Sequence, residues 1–200
     1  MNKKYYLSLD ISTTNVGMSI FDDKGKLIGL KHLKLTTDKK VPEYQRYIAK
    51  SILFKEYITN VKDYIEKDFN GDISGIFVEE PLIMSNNSFT SALLQKFNGI
   101  CCYIIYDIFD IIPELITVHD SRKVFCPEFV TTKYRKGERV DVLSFPKGID
   151  KKVYIWEKVN KIEKNIEWLY NKKGDLAKES YDLSDSYCVG YSMLKIKGII

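Results

Sequence analysis

The chain has 200 residues, 44% hydrophobic and 29% charged, with 31 Lys and Arg against 27 Asp and Glu for a net charge of +4. A chain of this length can bury a core without disulfide or metal staples, so a single domain over 1–200 is expected, and the mild basicity admits a polyanionic partner without the strong excess of a nucleic-acid coat protein. It has no apolar run of about 18 residues and no charged leader before an apolar core, so neither membrane spanning nor secretion is expected and the cytoplasm is the expected compartment.

Residues 4–10, Lys-Tyr-Tyr-Leu-Ser-Leu-Asp, read as a strand, 16–22 as a second with alternating pattern, and Asp22-Asp23-Lys24-Gly25-Lys26 as the turn into a third near 27–36, an antiparallel meander. From Pro42, which suits a first helical turn, Tyr47, Ile48, Ile52, Tyr57, Ile58, Val61 and Ile65 recur at spacings that predict one long amphipathic helix to about Asp68. After a break at Gly71-Asp72, Ile73–Glu80 reads as a buried fourth strand stopped by Pro81. Ser85-Asn86-Asn87-Ser88 reads as a polar loop and cap, and Phe89–Phe109 as a largely buried helix. Pro113–Val118 is a short fifth strand, with His119-Asp120-Ser121 as its exit into a short helix ending at Phe125. Residues 127–149 lack clear periodicity and read as a basic loop or arm; 150–172 resume a helical pattern, and 181–195 form a final helix. Strands alternating with helices after a meander predict an α/β fold with the later strands parallel to the first.

Cys101, Cys102, Cys126 and Cys188 have neither C-x-x-C spacing nor a nearby His pair, which predicts reduced core thiols rather than a zinc site. His32 and His119, the only two histidines, stand far apart with no motif around them, so a catalytic histidine is not indicated.

Carboxylates, in contrast, stand where they can converge. Asp10 closes the first strand, Glu79 and Glu80 end the fourth, and Asp182 and Asp185, three residues apart, share one face of the last helix. Parallel strands one and four, as neighbours, would present Asp10 and Glu79 side by side at their carboxyl ends, where sites form in open α/β sheets. Such a group repels itself unless a cation neutralises it. All-oxygen ligation suits Mg²⁺, with Mn²⁺ as substitute, and two ions about 4 Å apart can activate water and stabilise the leaving oxygen of a phosphodiester. The plain alternatives are an Asp10 that hydrogen-bonds the backbone of Ser12 or Thr13, and solvated surface charge for the rest.

The segments Leu7-Ser8-Leu9-Asp10-Ile11-Ser12-Thr13-Thr14-Asn15-Val16-Gly17, Phe77-Val78-Glu79-Glu80-Pro81 and Asp182-Leu183-Ser184-Asp185-Ser186, in that order, resemble the RuvC-type Holliday junction resolvases of the RNase H-like superfamily, and the phage or viral members more than the cellular enzyme. The resemblance implies an RNase H-like α/β fold with a five-stranded mixed sheet in the order 3-2-1-4-5, strand 2 antiparallel. It implies Asp10, Glu79, Asp182 and Asp185 as catalytic, metal-holding acids, with Glu80 second to Glu79 because adjacent strand residues face opposite sides. It further implies a homodimer that nicks a four-way DNA junction in two opposing strands, in the host cytoplasm if the source is viral. Interface candidates are Phe97, Ile104 and Ile108, with core positions preferred for most of them. Two departures stand out: the longer segment 127–149, and Leu82 where some members carry an aromatic wedge, for which Phe89 is a substitute or, more in keeping with phenylalanine generally, a core residue.

Lys133, Arg135, Lys136, Arg139, Lys151 and Lys152, with Tyr134 interleaved, are the candidate phosphate-binding residues. Two other function classes remain open in the sequence. Asp10-Ile11-Ser12-Thr13-Thr14 also resembles the first phosphate loop of actin-like ATP-binding kinases, although no second domain or glycine-rich loop accompanies it, and the same fold can bind branched nucleic acid without cutting it.

Overall fold

The computed structural model describes residues 3–38, 40–81, 88–135 and 137–200. Its elements are β1 (Lys3–Ile11), β2 (Asn15–Asp22), β3 (Leu27–Lys34), α1 (Glu43–Asp68), β4 (Gly71–Glu80), α2 (Ser88–Phe109), β5 (Glu114–Thr117), α3 (Val118–Phe125), a 3₁₀ turn (Pro127–Phe129), β6 (Val130–Arg135), β7 (Glu138–Leu143), α4 (Lys151–Ile162) and α5 (Lys178–Ile196). Five strands form one sheet in the order β3-β2-β1-β4-β5. β2 is antiparallel to β1 and β3, while β4 is parallel to β1 and β5.

Side-chain alternation sorts the sheet into two faces. Leu7, Leu9 and Ile11 of β1, Val16, Met18 and Ile20 of β2, and Ile76 and Val78 of β4 pack with Phe54, Ile58, Val61 and Ile65 of α1 and Phe97, Cys101 and Ile105 of α2. The opposite face packs Phe21 and Phe77 against α3, α4 and α5 through Phe125, Ile155, Val159, Leu183, Tyr187 and Leu194. Helices thus cover both sides of a mixed sheet, a three-layer α/β arrangement. All four cysteines are free, three of them fully buried.

α5 lies unusually close to the sheet because small residues line the contact. A Cβ on Gly17 would collide with the backbone carbonyl of Asp182, and one on Gly190 with Phe21 and the Ser8 hydroxyl. Ser8 Oγ donates to the Ser186 carbonyl at 2.8 Å, and the Ser19 and Ser186 hydroxyls meet at 2.8 Å. These buried hydroxyls are therefore satisfied by the very contact that brings the helix down.

Several elements differ from the sequence reading. β4 begins at Gly71, because Asn70, at φ 48°, makes the turn out of α1. α3 begins at Val118, capped by Thr117, whose hydroxyl accepts from the Asp120 amide at 3.1 Å. α4 stops at Ile162, not near 172: Trp168 and Ile166 reach the core from a loop, anchored by Trp168 Nε1 to Asn160 Oδ1 at 2.9 Å and turned at Gly174, φ 85°. The 127–149 segment, read as a basic loop or arm, holds a two-stranded ribbon, β6 paired antiparallel with β7. Within α1, Ile48 and Ile52 are exposed although they share the helical pattern of the buried residues. Phe97 and Ile104 are core and Ile108 packs against it, whereas Phe89 is 64% exposed, against its expected core role. Leu82 and the loop through Asn87 lie outside the described residues.

Candidate active site

Strand register builds one row of residues on the α5 side of the sheet. Asp10 pairs with Gly17, and Gly17 with His32. Leu9 pairs in parallel with Val78, so the next residue on each strand, Asp10 and Glu79, emerges on the same face at the carboxyl ends of β1 and β4. Glu80 alternates to the other face, which settles the choice between the two glutamates. Gly17, the bare position in this row, admits the first turns of α5 and so brings Asp182 and, three residues later, Asp185 over Asp10.

Asp10 does not serve the turn that follows it. Ser12 does: its hydroxyl accepts from the Asn15 and Thr14 amides at 2.9 and 3.3 Å, and its own amide donates to the Asn15 carbonyl at 2.9 Å. Asp10 is left at the floor of the cleft with a narrow opening to solvent. Its pKa lies well above the usual aspartate range, first through burial and then through the charges of Glu79, Asp185 and Asp182, with Lys152 opposing. Glu79 is pushed up to about 7 by burial and by Asp185, with Arg122 and Lys152 opposing.

Two cations reach into the group. Arg122 of α3 donates from Nη2 to Asp185 Oδ1 at 3.1 Å, with only 15% and 6% of the two side chains exposed. Lys152, at the first turn of α4, places Nζ 3.3 Å from Asp185 and 3.9 Å from Asp182. Burial alone would lower the pKa of each; the surrounding carboxylates, Asp185 foremost, turn both upward. His32 Nε2 lies 3.8 Å from Asp182 and, among the described residues, has no hydrogen-bond partner.

Of the candidate site residues, Asp10, Glu79, Asp182 and Asp185 come together. Lys152, expected to meet phosphates near the site, stands against Asp182 and Asp185. Lys133 and Arg139 stand on the ribbon, and Lys151 is exposed with Nζ 5.9 Å from the Phe145 ring. The ribbon also includes the backbone of Arg135; Lys136 lies outside the described residues. Arg122 and His32 were missed in the sequence: neither sits in a motif, and both reach the site only through the packing of α3 and β3.

The donor set suits a hard divalent cation in kind, since all four groups offer carboxylate oxygen. As they stand, no three His, Cys, Asp or Glu side chains among the described residues are gathered closely enough to hold a metal ion. Four carboxyl groups face only two cations, Arg122 and Lys152, and burial together with this crowding opposes the ionisation of Asp10 and Glu79.

That imbalance has a consequence for stability. Glu79 binds its proton more tightly in the folded chain, near pH 7, than in the unfolded one, near 4.5, so between those values the folded state holds more protons and stability falls as pH rises. Glu79→Gln is therefore expected to raise the melting temperature at pH 8 in the absence of metal, by an amount on the order of 2 kcal/mol or several degrees. The gain should shrink toward zero at pH 4, where wild-type Glu79 is protonated in both states; calorimetry at the two pH values measures it.

Comparison with protein-family models and with curated proteins gives no match. Among solved structures, the chain is similar to Thermus thermophilus RuvC in complex with Holliday junction substrate, with TM-score 0.58 and 11% identity over 94% of this chain and 91% of that one. A second Thermus thermophilus RuvC structure gives TM-score 0.55 and 12% identity over 97% and 96%. The yeast mitochondrial Holliday junction resolvase gives 0.53 and 9% over 97% and 79%. At these identities the likeness speaks for architecture, and with the strand order β3-β2-β1-β4-β5 it shows that the chain has the RNase H-like α/β fold of the RuvC resolvases.

Proposed function

We propose that the protein is a Mg²⁺-dependent, structure-specific endodeoxyribonuclease that resolves four-way and other branched DNA junctions by paired nicking. The observation that supports this most is the convergence of Asp10, Glu79, Asp182 and Asp185 under α5, on a fold shared with junction resolvases. These four acids would hold the metal; bound there, two ions supply an activated water and neutralise the leaving oxygen. Arg122 fixes and partly neutralises Asp185, and Lys152 holds Asp182 and Asp185 on one side of the cleft.

A non-cutting branched-DNA binder is favoured by one fact, that no three of the acids are gathered to ligand distance. Incubation of labelled four-way junctions and linear duplexes with the protein, in Mg²⁺ or in chelator, separates the two readings. Symmetric nicks in opposing junction strands, only with metal, are expected; tight junction binding with no cleavage under any divalent ion overturns the nuclease.

A two-fold junction calls for a two-fold enzyme, and an apolar surface is available for the second copy. Tyr44, Ile48 and Ile52 recur every four residues along α1 and are 66%, 60% and 54% exposed, beside Ile100 and Tyr103 of α2. Contiguous exposure of this kind marks an interaction surface. Ile48→Glu combined with Tyr103→Glu is expected to convert a dimer into a monomer by light scattering and to uncouple the paired nicks into single ones. A wild type that is monomeric both free and on the junction would remove this interface.

A further inference from the structure

The β6–β7 ribbon offers a second binding element, apart from the acidic centre. Its root is fixed: Phe129 packs on Phe145 and Tyr154 with ring centroids 4.8 and 4.9 Å apart, and Glu128 accepts from Tyr154 Oη at 2.6 Å and from Lys158 at 2.7 Å. The Ser144 amide donates to the Phe129 carbonyl at 2.9 Å, closing the neck. Beyond the neck the ribbon projects six residues per strand, about 20 Å at strand rise, to a turn at Gly137.

Near the tip, Tyr134 is 77% exposed and pairs across the ribbon with exposed Arg139, so both side chains leave from one face. Lys133 points to the other face, opposite Val140. Neither Lys133 nor Arg139 has an ion pair among the described residues, and the nearby Asp141 is engaged by the Thr132 hydroxyl at 2.7 Å. The tyrosine contributes nothing to a core there, since an isolated two-stranded ribbon has none. A bare aromatic ring with one unpaired cation, Arg139, beside it and a second, Lys133, on the reverse face of the ribbon is the chemistry of a nucleobase platform with phosphate contacts.

In chain order the ribbon lies between α3, which carries Arg122, and α4, which carries Lys152, the two helices whose cations reach the acidic centre. In a continuous duplex each base face is covered by its stacked neighbour. Only a branch point, where stacking is interrupted, offers an open face. We infer that Tyr134 stacks on a base exposed at the junction centre while Lys133 and Arg139 hold the adjoining phosphates, so that the ribbon selects branched over linear DNA. This rests on the reading of the substrate as branched DNA.

The test measures binding in chelator, so that cutting plays no part. An immobile four-way junction with 2-aminopurine at the branch, and a linear duplex with the same base in its middle, are titrated with the protein. Wild type is expected to change the probe's emission at the branch and not in the duplex. Tyr134→Ala should abolish that change and weaken junction binding by about five- to a hundred-fold, with duplex binding unaltered, and Tyr134→Phe should retain both. Lys133→Glu with Arg139→Glu should weaken both DNAs and flatten the salt dependence. Tyr134→Ala that binds the junction as tightly as wild type, with the same emission change, overturns the inference even if junctions are cut. A Tyr134-dependent change in a protein that cuts no junction upholds it while removing the nuclease reading.

Discussion

Asp10→Asn is expected to cut four-way junctions at least roughly 10³-fold more slowly than wild type, the scale of losing a central ligand from a metal-assisted phosphodiester hydrolysis, while melting at a higher temperature. Both effects come from one position. Asp10, one residue before the end of β1, is crowded by Glu79, Asp185 and Asp182, and its pKa stands well above the usual range because burial and those three charges oppose its ionisation. A carboxylate whose folded pKa is raised loses stability for the fold as pH climbs from its unfolded value through its folded one. An amide of the same shape removes that penalty, so the stabilisation should be present at pH 8 without metal and absent at pH 3. Divalent cation should reverse the ranking: it stabilises the wild type by binding the folded state and does so more weakly in the variant. A fully active Asp10→Asn, or one destabilised at pH 8 without metal, contradicts the role given to this residue.

The second large effect concerns Arg122. Its guanidinium and the Asp185 carboxylate form a pair with little access to solvent, at 3.1 Å. Removing one partner of such a pair strands the other as an unpaired buried charge, which costs about 3–5 kcal/mol. Lys152, 3.3 Å from the second Asp185 oxygen, remains as partial compensation, so Arg122→Ala should fall near the lower end, about 3 kcal/mol, or a drop of roughly 6–12 °C in melting temperature. Combining Arg122→Ala with Asp185→Asn should recover much of that stability, because the stranded charge is gone, yet recover no nicking. That non-additivity is the signature of a direct pair. Arg122→Ala with an unchanged melting temperature would mean that the pair does not form in solution.

The acids were legible in the sequence because their positions follow from strand and helix periodicity. Asp10 and Glu79 stand near the carboxyl ends of parallel strands, Asp182 and Asp185 share a helix face, and alternation admits only one of Glu79 and Glu80, of which the resemblance picked Glu79. The strand order β3-β2-β1-β4-β5 came from the resemblance those segments carry, and the structure has it. Arg122, His32 and the pairing of Lys152 with Asp182 and Asp185 were not legible, since each depends on how α3, β3 and α4 dock, and a single basic residue has no pattern of its own. The ribbon escaped notice for a related reason: both of its faces are largely solvated, so β6 and β7 lack the apolar alternation that marks a half-buried strand. Residues 163–172 misled in the other direction, their apolar residues recurring at helical spacing while serving the core from a loop.

The exposed stripe of Tyr44, Ile48 and Ile52 shows the limit of periodicity most clearly. The pattern correctly predicts a helix, but it does not distinguish residues that face the core, such as Ile58 and Ile65, from residues left exposed. Only the docking of α1 on the sheet separates them.

The account stands on four carboxylates acting as one cation-binding centre. Anomalous scattering from Mn²⁺ in crystals of the wild type bound to an uncut junction, made with a nuclease-resistant phosphate at the cleavage site, tests this most directly. Anomalous peaks bonded to Asp10 and shared with Glu79, Asp182 or Asp185 are predicted, with Lys152 moved off the Asp182 and Asp185 oxygens; a well-ordered junction in the cleft with no peak among these four acids would contradict it.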